Sequence, residues 1–133
     1  MHARHYVSVK AVLYSADAQR VMVMYYPKRK VYGLPGGHID RGEDPDTALA
    51  RELMEELRIS VDGMQRRDFF YANRIILGYT AIVANDFETF PTDAKKEYAV
   101  WCTKEEIAEL GPFTEQYRDF IFAHWPTELQ LSV

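Results

Sequence analysis

The segment that most constrains this chain is the helix expected from about Pro45 to Leu57, whose two sides make different demands. Asp44 is a good capping residue, and Pro45 suits the first helical turn. At about 100° per residue, with Ala48 set to zero, Glu52 falls near 40°, Glu56 near 80° and Glu55 near 340°. Leu49, Leu53, Leu57, Ala50 and Met54 fall between about 100° and 240°, the side expected to pack on a sheet. Arg51 flanks the acidic arc at about 300°. A solvated surface is the commonest reason for an acidic arc. Here the glutamates sit at like-charge spacings that cost roughly 0.2–0.5 kcal/mol per pair. No lysine or arginine stands three or four residues from Glu52 or Glu56. Three hard oxygen donors converging on one arc suit Mg²⁺ or Mn²⁺, which take carboxylates, water and substrate phosphates together.

Just upstream lies Leu34-Pro35-Gly36-Gly37-His38-Ile39-Asp40-Arg41-Gly42-Glu43. The paired glycines read as a tight turn whose backbone can approach an ion or a phosphate closely. Alone, a Gly-Gly pair more often marks an ordinary turn. Followed by Glu43 and the acidic helix, it points to an active site.

The rest of the chain reads as scaffold. Its 133 residues fit one domain, 1–133, with room for a real core. The net charge of -4 gives no overall field to attract nucleic acid or anionic lipid, and a protein of this sign that handles phosphates needs a cation. Cys102 is the single cysteine, so no internal disulfide forms. His2, His5, His38 and His124 lack zinc-site spacing. The N-terminus has no signal-like apolar run and no stretch is long enough to span a membrane, so a cytoplasmic protein is expected.

Val7, Val9, Ala11 and Leu13 alternate with Ser8, Lys10 and Val12 as a first strand, with Val21 to Tyr26 as its hairpin partner across the polar turn Ser15 to Arg20. Strands are also expected within Val61 to Tyr71 (broken by Gly63 and Asp68), over Ile75 to Val83, and over Glu97 to Cys102, with a polar connection from Asn85 to Lys96. Thr103-Lys104-Glu105-Glu106 is a capping box, with Cys102 and Ile107 as its hydrophobic staple, for a short helix to about Leu110. After Gly111-Pro112, a last helix from about Thr114 to Trp125 puts Tyr117, Phe120, Ile121 and His124 on one face. Without regular βα alternation, this is an α+β or mixed α/β sandwich, with helices covering a mixed sheet.

From Gly37 there are five residues to Glu43 and seven more to Arg51-Glu52, followed by Leu53, Met54, Glu55-Glu56, Leu57, Arg58 and Ile59. This resembles the Nudix box, Gly-x5-Glu-x7-Arg-Glu-U-x-Glu-Glu-x-Gly-U with U apolar, at every specified position except Arg58. The Leu34-Pro35-Gly36-Gly37 lead-in with Tyr32, and a later acidic residue, Glu97, before Trp101 and a short helix, are also usual there. Glycine ends the helix in the family pattern, so Arg58 implies an altered helix exit. The resemblance implies a Nudix-type α/β/α sandwich and metal-dependent hydrolysis of a nucleoside diphosphate linked to another moiety. Glu52, Glu55 and Glu56 would hold the metal with the Gly36 carbonyl, and Glu43 would pair with Arg51 to orient the helix carboxylates. Metal-bound water would attack, and the general base is Glu55, Glu56 or Glu97.

For the base and phosphates, Tyr6, Tyr32, Phe69, Phe70, Tyr71 and Tyr79 are stacking candidates, although aromatics more often serve cores. Arg74 and the Lys28-Arg29-Lys30 loop are phosphate candidates. Tyr32, Arg29 and Arg74 are the substrate-binding choices. The expected substrate is a small nucleotide: a (deoxy)nucleoside triphosphate, a dinucleotide or a nucleotide sugar, with no nucleic acid or membrane partner, and the protein a monomer or homodimer. Two rivals share the fold: a module that binds nucleotide without turnover, and an isomerase of isoprenoid diphosphates that would want a reactive cysteine.

Overall fold

The computed structural model describes residues 7–84 and 98–127. Tyr6, Glu97 and the connection over 85–96 lie outside the described residues. The elements follow in the order β1 Val7–Tyr14, β2 Arg20–Tyr26, β3 Val31–Gly33, β4 Gly36–His38, α1 Pro45–Leu57, β5 Gln65–Tyr71, β6 Ile75–Ile82, β7 Tyr98–Thr103, α2 Lys104–Glu109 and α3 Glu115–Ala123. They build a mixed seven-stranded sheet of order β3-β2-β1-β6-β5, with β4 paired to β1 and β7 to β2.

Strand β1 is the axis. It runs parallel to β6 over its whole length, and its polar side is not solvated: Ser8 is fully buried and Lys10 half-buried. Val9, Ala11 and Leu13 join Ala48, Leu49, Leu53 and Leu57 of α1 in one core cluster. Val12 and Tyr14 join Ile107 of α2 and Phe120 and Ile121 of α3 in the other. The sheet is thus covered on both faces, as expected of the sandwich, and among the described residues no helix is long and apolar enough to cross a membrane.

The β1–β2 hairpin is joined only near its turn, where Tyr14 faces Val21. Beyond that point β2 pairs with β3 and β7, and β1 pairs with β4. The loop of Leu34 and Pro35 enters this split, and the Pro35 carbonyl accepts from Ala11 N–H at 2.9 Å. The glycine pair is therefore not a free turn but a short edge of sheet, with Gly36 opposite Lys10 and Gly37 opposite Val9. Periodicity could not show this, because glycine is a poor strand former and the pairing is supplied by a distant partner.

The wheel also needs adjusting. Ala48, Leu49, Leu53 and Leu57 are the buried side of α1, whereas Ala50 is exposed and Met54 is 49% exposed. The buried arc is centred near 100°, so Glu52 and Glu56 look toward the sheet and not away from it.

The capping box of α2 forms in both directions. Its staple residues Cys102 and Ile107 are buried in one cluster. The irregular register of β5 falls between Arg66 and Phe69, where Asp68 was expected to interrupt it.

Arg58 corrects the expectation of an altered helix exit. It takes the left-handed conformation itself, with φ 57° and ψ 36°, and its N–H bonds the Met54 carbonyl. The exit is the ordinary one, with an arginine carrying its strain. Arg58→Gly should therefore raise stability by about 0.5–1 kcal/mol, seen as a rise of a few degrees in thermal midpoint. An unchanged or lower midpoint would contradict this account.

Candidate active site

The site forms where β4 passes between β1 and α1. Gly36 has a φ of +136°, and a Cβ there would lie 2.0 Å from the Val9 carbonyl oxygen. Only glycine permits this approach. On the other side, Gly36 N–H donates to Glu56 Oε1 at 2.8 Å. A Cβ on Gly37 would meet the Glu52 carboxylate at 2.6 Å. Two carboxylates of α1 thus rest directly on the backbone of the glycine pair.

Arg51 orders the remaining carboxylates. Its Nε and Nη2 hold Glu43 at 2.8 and 3.0 Å, and Nη2 also donates to the His38 carbonyl at 3.1 Å. Its Nη1 reaches Glu52 at 3.1 Å and Glu55 at 3.3 Å, and Asp40 lies 3.4 Å from Nη2. Hydrogen bonding from Arg51 holds the Glu43 carboxyl below the usual carboxylate range. The glutamates are therefore not without an internal counter-charge. Arg51 serves Glu55 at helical spacing and Glu52 from the adjacent position, which spacing rules do not reward. Glu52 and Glu43 are largely covered, whereas the Glu55 side chain is 58% exposed at the rim.

A second cationic group lies on the other side of β4. Lys10 Nζ donates to the Leu34 carbonyl at 3.2 Å and the Gly36 carbonyl at 3.4 Å. Burial pulls its pKa below the ordinary lysine value; Glu56 and Glu52 resist the shift, and Arg74 and Arg29 reinforce it. Arg74 Nη1 stands 3.2 Å from His38 Nε2, and Arg29 lies 4.9 Å over the Tyr26 ring. Tyr32, bridged to Phe113, packs against the α3-side core together with Phe113, Tyr117 and Phe70.

The structure thus brings together Gly36, Glu43, Arg51, Glu52, Glu55 and Glu56, whereas Arg29 lies on Tyr26, Arg74 on His38, and Tyr32 packs against the α3-side core. Glu97 is outside the described residues. Of the other stacking candidates, Phe70 stacks on Phe120 and Tyr79 is buried with its hydroxyl on Asp46, so both are occupied in the core. Phe69 and Tyr71 are exposed on the sheet edge. Sequence reading missed Lys10 and His38. The signal for Lys10 was present, as a lone charge in an otherwise apolar central strand. Cys102 is buried, with its thiol pushed up to about 11 by that burial, so it offers no reactive thiolate.

Among the described residues, no three His, Cys, Asp or Glu side chains already converge as a metal cluster. The donor chemistry still fits a hard divalent cation. Glu52 and Glu56 meet at the glycine backbone, the Gly36 carbonyl accepts from Lys10 there, and Glu55 is one helical turn from Glu52.

The two glycines separate fold from site. Gly36→Ala drives a methyl into β1 backbone and should destabilise the protein by several kcal/mol. Gly37→Ala displaces only the end of a flexible glutamate, so the thermal midpoint should move by a few degrees at most while hydrolysis falls at least tenfold. Equal effects of the two on stability would refute the distinction.

The chain matches the NUDIX domain family over residues 4–123. It is 23% identical over 128 residues to an RNA pyrophosphohydrolase of Helicobacter pylori, a match spanning 93% of this chain and 81% of that one. It is 30% identical over 113 residues to a MutT-like protein of Streptomyces ambofaciens, spanning 79% and 68%. Its fold superposes with a TM-score of 0.73 on a MutT structure from work on Aliivibrio salmonicida and Vibrio cholerae, at 20% identity, covering 90% of this chain and 96% of the other.

Proposed function

The chain belongs to the NUDIX family of pyrophosphohydrolases, and from that footing we propose that it hydrolyses, with a divalent metal ion, the diphosphate linkage of a nucleotide. The carrying observation is that the Glu52 and Glu56 carboxylates rest on the Gly36-Gly37 backbone, with Lys10 bonded to the Leu34 and Gly36 carbonyls. Magnesium or manganese would be held by Glu52, Glu55, Glu56 and the Gly36 carbonyl. When bound, the ion supplies charge neutralisation on the pyrophosphate and a more acidic water.

The residues of the chain do the positioning. Gly36 N–H holds the Glu56 carboxylate against the glycine backbone through Oε1. Arg51, anchored by Glu43, aligns Glu52 and Glu55. Arg29 and Arg74 take phosphate oxygens, and Tyr32 lines the side where a base would lie. Water attacks phosphorus, the bridging P–O bond breaks, and the water proton passes to a carboxylate, with Glu55, Glu56 and Glu97 as the candidates.

The substrate is a nucleoside triphosphate, a dinucleotide or a nucleotide sugar. The relatives named RNA pyrophosphohydrolase add RNA to the compounds worth testing, against the exclusion that a net charge of -4 suggests. The cationic rim is local, and a net charge does not govern it. A cytoplasmic single-domain protein, monomeric or dimeric, completes the reading.

Glu56→Gln keeps an acceptor for Gly36 N–H while removing a charge. It should lower Mg²⁺-dependent kcat at least 100-fold and leave the thermal midpoint within a few degrees. Turnover near that of the unaltered protein would refute the assignment. The substrate class follows from products in a panel that includes RNA with a 5′-triphosphate. Pyrophosphate with a monophosphate marks triphosphate cleavage, and two monophosphates mark a dinucleotide or nucleotide sugar. Binding without turnover of any compound would favour a nucleotide-binding module instead.

A further inference from the structure

Lys10 is the one charged residue of the strand VSVKAVLY at the centre of the sheet, and it faces the site from the side opposite α1. Its ammonium donates to the carbonyls of Leu34 and Gly36, and the charges acting on it are the carboxylates of Glu56 and Glu52 and, opposing them, Arg74 and Arg29. That surrounding suits an ammonium group, with three donors and a positive charge. The Gly36 carbonyl at 3.4 Å from Nζ is the same oxygen proposed for the metal. A Mg²⁺ ion on that oxygen, at about 2.1 Å, would stand only a few ångströms from the ammonium. Like charges at that separation repel strongly where water is scarce.

We propose that Lys10 is a built-in competitor for the divalent ion: its ammonium occupies the Gly36 carbonyl and offsets Glu56 and Glu52, lowering the affinity of this position for metal. The consequence is a site whose excess negative charge is reduced before metal binds and that takes up the ion weakly, releasing Lys10 toward the anionic substrate as it does so. This extends the metal-site reading above and rests on it.

The test is Mn²⁺ binding, followed by the electron paramagnetic resonance signal of free Mn²⁺ at one pH, with no substrate present. Lys10→Met and Lys10→Gln remove the charge, and the glutamine retains a donor for the Leu34 carbonyl. Both should bind Mn²⁺ at least tenfold more tightly than the unaltered protein. Lys10→Arg keeps the charge and should bind as the unaltered protein does. Glu56→Gln should bind more weakly. Unchanged or weaker binding by both neutral variants, with Glu56→Gln still impaired, would overturn the role of Lys10 and leave the metal site standing. No Mn²⁺ binding by any of these proteins would overturn both.

Discussion

The structure depends on how closely the backbone of Gly36 and Gly37 can be held between a strand and a helix. One side abuts the Val9 carbonyl, where even a methyl group would stand 2.0 Å away. The other side receives two carboxylates, one bonded to Gly36 N–H and one lying on Gly37. The remaining parts of the fold serve this junction. The splayed β1–β2 hairpin lets the Leu34-Pro35 segment in, and the parallel β1–β6 pairing holds β1 in place. Leu49, Leu53 and Leu57 press α1 onto the sheet so that Glu52 and Glu56 point inward.

A second theme is local charge balance within a negatively charged protein. Arg51 gathers Glu43, Asp40, Glu52 and Glu55 from one side, and Lys10 faces Glu56 and Glu52 from the other. Carboxylates converging in a partly dry site are costly unless matched, and removing one partner leaves the others exposed to that cost.

Much of this was legible in the residues. The helix, its cap, the capping box of α2 and the acidic arc follow from local rules that act within a few positions. The spacing from Gly37 to Ile59 by itself points to the family. What was not legible depended on partners far along the chain. The glycine pair is strand and not turn because β1 is there to pair with it. Lys10 looked like the polar side of an alternating strand, yet both faces of β1 are covered. Arg58 was expected to change the helix exit, but the left-handed conformation costs only about 1–2 kcal/mol, which tertiary packing absorbs. Met54 and Ala50 were assigned to the packed face because a wheel gives directions and does not say where the sheet is centred.

The central claim is that one ion site lies between Gly36 and the glutamates of α1. It is tested most directly by adding sub-stoichiometric Mn²⁺ to isotope-labelled protein and following amide line-broadening by nuclear magnetic resonance. The account predicts that the amides of Gly36, Gly37, Glu52, Glu55 and Glu56 broaden first, with β5 and α3 unaffected at the same ratio. Broadening that begins elsewhere, or spreads evenly over the acidic surface, would contradict it.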